Sequence, residues 1–372
     1  MHITELRTPA VLVDVNKVRS NITRMQAAAT ANGVRLRPHA KTHKSPVIAR
    51  WQIEQGAVGV CCQKLGEAEV LAAAGIEDIR LPYPVSPTNA DRVVRLLDRT
   101  RLSLIVDHPL VARGWSDAMH AAGRTLDVLV KVDVGYHRCG IDPALPDAGA
   151  FVAQVGTLPG LRLTGLLSHA GHAYQAQSDE ELRAIAAAEA RLLHQVAHAA
   201  RAHGATIEEI SVGATPPARF SVREKGITEL RPGNYVYFDR MQVGLGSATL
   251  GDCALTVLAT VVTKHLDRVI FDCGSKTLAM DQARGASQPG HGLVFSGLDT
   301  VAPDDNLRIE QLSEEHAKVR VLNGSTRLEP GDRVRVLPNH ACVVSNLVNE
   351  IALVEGDQVI DRLAVAARGM IT

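Results

Sequence analysis

From residue 10 to residue 240 the chain repeats one alternation: a short run of β-branched and aliphatic residues, a turn, then an amphipathic helical stretch. No other feature limits the fold as much. Strand and helix alternating at roughly 30 residues per unit build a parallel sheet covered by helices. The runs "AVLVDV", "VRLRPHA", "AVGVCC", "DIRLPYP", "RLSLIVD", "DVLVKVD", "LRLTGLLSHA" and "IEEISVG" read as eight strands. Between them lie "LGEAEVLAAAG", "NADRVVRLLDR" and "DEELRAIAAAEARLLHQVAHAARAHG", the last made almost wholly of strong helix formers. Eight such units close into a (β/α)8 TIM-like barrel. A doubly wound open sheet satisfies the same pattern.

After "ELRPGNYVYFD" (Glu229 to Asp239) the rhythm changes to shorter alternating runs: "ALTVLATVVTKH", "DRVIFDCG", "HAKVRVLNG", "DRVRVLPNHAC" and "NEIALVEGDQVI". Turn pairs such as Asn323-Gly324, Pro330-Gly331 and Glu355-Gly356 separate them. Residues 10–240 therefore read as a barrel domain and residues 241–372 as a mostly β domain, with residues 1–9 available to add a strand.

Composition narrows the function classes. Lysine plus arginine and aspartate plus glutamate are both 40, so no net basic field recruits nucleic acid. The N-terminus "MHITELRTPAVLVDV" lacks a basic segment followed by a long apolar one, and no run approaches the ~20 apolar residues of a membrane span. A cytoplasmic protein without membrane partners is expected. The six cysteines follow no disulfide spacing and read as reduced thiols.

The run "RPHAKTHKSP" (Arg37 to Pro46) concentrates basic residues where a strand gives way to a helix. Asn32-Gly33 ends the preceding helical pattern, and Ser45 with Pro46 opens the next helix as N-cap and first residue. Lys41 thus falls at the C-terminal end of a strand, the edge at which β/α proteins bind ligands. Gln63, Arg138 at the end of "KVDVGYHR", His169 in "SHAGH" and the turn "SVGATP" (Ser211 to Pro216) reach the same mouth. The Gly-Ala-Thr turn reads either as a phosphate cradle, with open backbone N–H groups and a hydroxyl, or as a plain β-turn. An amine beside such a cradle is what an enzyme needs to hold pyridoxal phosphate covalently.

Taken together, "PAVLVDV", "RPHAKTHKSP", "GVCCQKLGEAEVLAAAGI", "VDVGYHRCGI", "SVGATP" and "ELRPGNYVYFD" make the chain resemble, over nearly its full length, the D-threonine aldolase and eukaryotic-type D-serine dehydratase family. Members have the fold type III pyridoxal phosphate architecture of alanine racemase. The resemblance implies that Lys41 carries the cofactor, Arg138 lies near its phenolic oxygen, Gly213, Ala214 and Thr215 hold its phosphate, and His169 flanks the ring. It also places Arg231 of "RPGN" against the pyridine nitrogen, with Gly233 and Tyr235 of the same segment among the cofactor contacts.

"LPNHACVVSN" (Leu337 to Asn346) sets His340 and Cys342 at i and i+2, which share one face of a strand. An imidazole and a thiolate on one face suit zinc; equally, the pair reads as a core cysteine beside a surface histidine. By resemblance this is the family's divalent metal site, His-x-Asp in the aldolases ("HxDPT") and His-x-Cys in the D-serine dehydratases. Here Cys342 replaces the aspartate and "VVS" replaces "PT", and a thiolate favours zinc over magnesium or manganese. His316 in "SEEHAKV" resembles the family's "DEHG" segment; a surface histidine at a strand end fits as well. His43, Lys44 and His172 lie near the motifs with no assigned role.

The resemblance therefore implies a pyridoxal phosphate and zinc dependent lyase acting on D-β-hydroxy amino acids. Elimination of water from D-serine or a similar substrate is expected first, with retro-aldol cleavage of a D-threonine-like substrate to glycine and an aldehyde as the alternative. An amino acid racemase would need a second base, which no tyrosine motif supplies, and a non-catalytic pyridoxal phosphate carrier would not need the long β domain. Relatives of this fold suggest a homodimer.

Overall fold

The computed structural model describes residues 1–282 and 289–372. The chain forms two compact units, one of Met25–Lys41, Pro46–Gly233 and Gly369–Thr372, the other of Met1–Arg24, Thr42–Ser45 and Asn234–Arg368.

The strand β1 (Ala10–Asp14), counted above as the first of the barrel, does not join it. It pairs antiparallel with Leu255–Lys264 and parallel with Glu350–Glu355 in the second unit. Its hydrophobic run suits any strand buried on both faces, so periodicity alone could not choose its sheet. The barrel is completed instead by Glu229–Leu230, which open the "ELRPGNYVYFD" segment and are not among the eight runs read as strands. Its strands are β2 (Arg35–Leu36), β3 (Val60–Cys61), β4 (Asp78–Pro84), β5 (Arg101–Val106), β6 (Leu126–Lys131), β7 (Leu161–Leu167), β8 (Glu209–Val212) and β9 (Glu229–Leu230). All pair in parallel in the order β2-β9-β8-β7-β6-β5-β4-β3. The two ends of this sheet meet: Val58 N donates to Leu36 O (2.9 Å), Cys61 N to Pro38 O (2.7 Å), and His39 bridges to Cys61. That closure selects the barrel over the open sheet.

Strand alternation sorts the side chains. Leu102, Leu104, Val106, Val128, Val130 and Leu166 face the helices and form the main core. Ile105, Leu129 and Leu167 point the other way and pack together as a separate buried cluster. Toward the strands' N-terminal ends the interior is ionic. Glu229 accepts from Arg37 Nε (2.8 Å) and Arg80 Nη1 (2.5 Å), Arg37 also pairs with Asp78 (2.5 Å), and Arg80 with Glu209 (2.8 Å). Burial opposes the Glu229 charge, but Arg80, Arg37 and the Ser211 hydroxyl pull its pKa down to about 2.

The second unit is built on a nine-stranded sheet in which β1 lies between Leu255–Lys264 and Glu350–Glu355. Gly356 (φ 60°) turns the hairpin from Glu350–Glu355 to Gln358–Ala364. One element departs from expectation. "HAC" is not strand: Arg333–Leu337 ends before it, and Ala341–Leu347 is a helix with His340 at its N-cap. Asp239 Oδ2 accepts from Ala341 N (2.9 Å), giving the first turn the acceptor that a helix start requires. Among the described residues no helix is long and apolar enough to cross a membrane.

Candidate active site

Lys41 follows β2 in the short turn Ala40–Thr42, immediately after His39 and Ala40. Its backbone N–H donates to His39 Nδ1 (3.4 Å), so the other ring nitrogen carries the proton and donates to Gln63 Oε1 (3.1 Å), just past β3. Burial, with the charges of Lys41 and Arg231, holds His39 neutral, its pKa well below 6.5. At the end of β7, His169 is held neutral in the same way, by burial and by Lys41, Arg138, Lys131 and Arg231. Four basic side chains thus disfavour a charge on one imidazole at the barrel mouth. The Tyr136 ring meets His169 edge-on at 5.9 Å and carries the Arg138 guanidinium 5.0 Å from its centroid. Lys131, the last residue of β6, is buried, and that burial lowers its pKa.

Arg231, 4% exposed, is fixed by neutral groups: Nε donates to Ser211 Oγ (2.8 Å) and Nη2 to the Ser168 carbonyl. Ser211 in turn donates to Glu229 (2.6 Å). Behind Ser168 stands Glu189, which accepts a hydrogen bond from the Ser168 hydroxyl (2.6 Å) and whose pKa burial raises to about 7. A turn of Gly213, Ala214 and Thr215 follows β8. A Cβ on Gly213 would come within 2.9 Å of Arg231 Nη1, and Ala214 is held at φ 144°, a region that residues with side chains avoid. The Thr215 hydroxyl oxygen is buried and has no hydrogen-bond partner among the described residues. Such an orphan costs about 1–3 kcal/mol unless something outside the chain satisfies it. A phosphate does so, and the cations around His169 match the remaining negative charge of pyridoxal phosphate. The residues present fit that cofactor.

In the second unit, Cys342 lies in the first turn of the helix Ala341–Leu347. Its sulfur is 3.2 Å from Thr42 Oγ1 and 3.5 Å from Asn234 Nδ2. The Ser345 hydroxyl donates to the Thr42 carbonyl (2.5 Å). Burial opposes charge on both members of the His340–Cys342 pair. Their mutual attraction overrides it, raising His340 to about 11, with help from Asp281, and lowering Cys342. Among the described residues no three His, Cys, Asp or Glu side chains converge on a point that could hold an ion. The pair therefore offers two protein donors, an imidazole and a readily ionised thiol, which suit a borderline-soft divalent ion with the other positions left to water or substrate.

The structure thus brings Lys41, Gln63, His169, Arg138 and Arg231 to one end of the barrel, with the Gly213–Thr215 turn against Arg231. Gly233 ends the long segment Pro46–Gly233 of the barrel unit, and Tyr235 is fully buried in the turn Asn234–Val236 of the other. His316 is exposed in the hairpin turn Ser313–His316. His172 is half-buried beside Gly135, and His43 is fully buried, accepting from Ser45 N (3.1 Å). Sequence reasoning missed His39, Lys131, Tyr136 and Thr42. Two of these carried a signal: His39 is two residues before Lys41 in "HAK", and Lys131 is a lone charge inside the apolar part of the strand run "DVLVKVD".

Residues 13–241 match the family model of the alanine racemase N-terminal domain, and residues 254–354 match one described as "Putative serine dehydratase domain". The D-threo-3-hydroxyaspartate dehydratase of Delftia sp. (strain HT23) is 36% identical over 350 residues, 91% of each chain. Its solved structure matches with TM-score 0.91, covering 98% of each chain. A cysteine-to-alanine variant of D-threo-3-hydroxyaspartate dehydratase, in the metal-free form, matches with the same score at 31% identity. The D-threonine aldolase of Arthrobacter sp. is 33% identical over 99% of this chain and 94% of its own, and the D-serine dehydratase of Dictyostelium discoideum 29% over 95% of both.

Proposed function

The chain belongs to the fold type III pyridoxal phosphate lyases related to alanine racemase, and we propose that it is a zinc-dependent dehydratase removing water from a D-β-hydroxy amino acid such as D-serine. The products are a 2-oxo acid and ammonia. The observation that carries this reading is the His340–Cys342 pair, with the thiol held by Thr42, the residue next to Lys41 in the chain.

In this reading the Lys41 amine would hold the cofactor covalently and would take the proton from Cα. Pyridoxal phosphate, when bound, supplies the sink for the electron pair left at Cα. Thr215 and the Gly213–Ala214 backbone would hold its phosphate. Arg231, locked by Ser211 and Ser168, would keep the ring nitrogen unprotonated, which would weaken that sink. Departure of the β-hydroxyl then needs assistance. His340 and Cys342 would hold zinc, which supplies a Lewis acid for a poor leaving group. Loss of the Cα proton and the hydroxyl leaves an enamine that water hydrolyses to the 2-oxo acid and ammonia.

Identity of 33% to the Arthrobacter aldolase favours a second reading, retro-aldol cleavage to glycine and an aldehyde at the same residues. Product analysis with D-serine, D-threonine and D-3-hydroxyaspartate separates the two. Pyruvate from D-serine supports the dehydratase, and glycine with acetaldehyde as the main products of D-threonine supports the aldolase.

A further inference from the structure

Asp281 belongs to none of the motifs discussed above, yet its carboxylate Oδ2 lies 3.2 Å from His340 Nδ1. We propose that Asp281 is the positioning residue of the metal centre, holding the His340 ring through Nδ1–H so that Nε2 is the nitrogen offered to the ion. The proposal rests on the reading that His340 and Cys342 hold a divalent metal. An ionised carboxylate only accepts hydrogen bonds, so a proton must sit on Nδ1 while the contact lasts. The one lone pair that the neutral ring can give is then on Nε2. A carboxylate behind a ligating imidazole also fixes the ring's orientation and makes it a stronger donor.

The surrounding bonds show that the carboxylate is held in place. Asn339, the residue before His340 and only 2% exposed, donates from Nδ2 to the Asp281 carbonyl (2.8 Å) and to the Gly290 carbonyl (2.9 Å). Its Oδ1 accepts from Arg240 Nη1 (3.3 Å), and that nitrogen also donates to the carbonyls of Gly290 (3.2 Å) and Gly292 (3.3 Å). Consecutive residues therefore grip the two halves of Asp281: Asn339 its main chain, His340 its side chain. The pair is partly exposed, with side-chain accessibilities of 29% for His340 and 40% for Asp281, so its worth lies in geometry more than in raw electrostatic energy.

The test is zinc affinity, measured by competition with a chromophoric chelator on metal-stripped holoenzyme. Wild type, Asp281→Ala, Asp281→Asn and His340→Ala are compared, with cofactor absorbance and Tm recorded for each. Asp281→Ala should weaken zinc binding about 10- to 100-fold with cofactor absorbance and Tm unchanged, and Asp281→Asn, which can still accept from Nδ1–H, should lose less. His340→Ala should lose nearly all of it. Wild-type affinity in Asp281→Ala beside a defective His340→Ala overturns the positioning role alone. Equal binding by wild type and His340→Ala overturns the metal centre itself, and the proposal with it. Cobalt loading separates positioning from direct ligation: the visible d–d bands of Asp281→Asn should match wild type, and a change signalling altered coordination number contradicts the proposal.

Discussion

The hydroxyl of Thr42 lies 3.2 Å from the sulfur of Cys342, and Thr42 is joined by a peptide bond to Lys41. The residue after the proposed cofactor lysine thus holds the proposed metal thiolate. Its backbone is tied to the same helix, through the Ser345 hydroxyl on its carbonyl.

If Cys342 binds metal as a thiolate, the Thr42 hydroxyl must be the donor in that contact. Thr42→Val keeps the shape and removes the donor, which is worth about 1.5–3 kcal/mol when the acceptor is charged. Zinc should bind at least tenfold more weakly in Thr42→Val, and close to normally in Thr42→Ser. Equal affinity in all three proteins, by the same competition assay, would show that the contact does not support the metal.

Lys41→Ala should abolish both activity and the covalent attachment of pyridoxal phosphate. Borohydride reduction of the wild-type holoenzyme followed by peptide mapping should place the pyridoxyl group on Lys41. A label on Lys44, Lys64 or Lys131 would move the catalytic amine to another residue.

Gly213 lets Arg231 lie against the turn that follows β8. A methyl group there meets Arg231 Nη1 at 2.9 Å, so the guanidinium must shift by a few tenths of an ångström. Gly213→Ala should bind cofactor about tenfold more weakly, roughly 1.4 kcal/mol, read by equilibrium titration of apoenzyme. Unchanged affinity would mean that the turn and Arg231 do not act on the cofactor together.

Much of this site was legible because β/α sequence rhythm puts chemistry at predictable strand ends. Lys41, His169 and the Gly213–Thr215 turn could be found that way. Two placements were not legible, for a physical reason in each case. β1 and a barrel strand share the same apolar signature, and only pairing partners far along the chain decide which sheet receives it. β9 is two residues long, too short for an alternation to show; parallel pairing on both sides, to β2 and β8, makes it a strand. The "HAC" helix start depends on Asp239, about a hundred residues upstream, and Asp281 could not be associated with His340 by any local pattern.

Glu229 neutralises two buried arginines from inside the barrel. Glu229→Gln keeps the volume but removes the charge, leaving Arg37 and Arg80 undercompensated, and should cost about 3–5 kcal/mol in urea unfolding. Folding depresses the Glu229 pKa from 4.5 to about 2. Its stabilisation is therefore complete above pH 4.5 and is lost as pH falls from 4.5 toward 2. Wild type should lose stability across that window and Glu229→Gln should lose less. Parallel pH profiles would place the acid sensitivity elsewhere.

In the proposed mechanism water elimination needs the metal while cofactor binding does not. The direct measurement is pyruvate formation from D-serine by enzyme stripped of divalent ions, with the cofactor absorbance recorded on the same sample. The stripped enzyme and Cys342→Ala should both keep the bound-cofactor spectrum and form no pyruvate, and added zinc should restore only the stripped wild type. Pyruvate formed at the full rate by metal-free protein would contradict the mechanism.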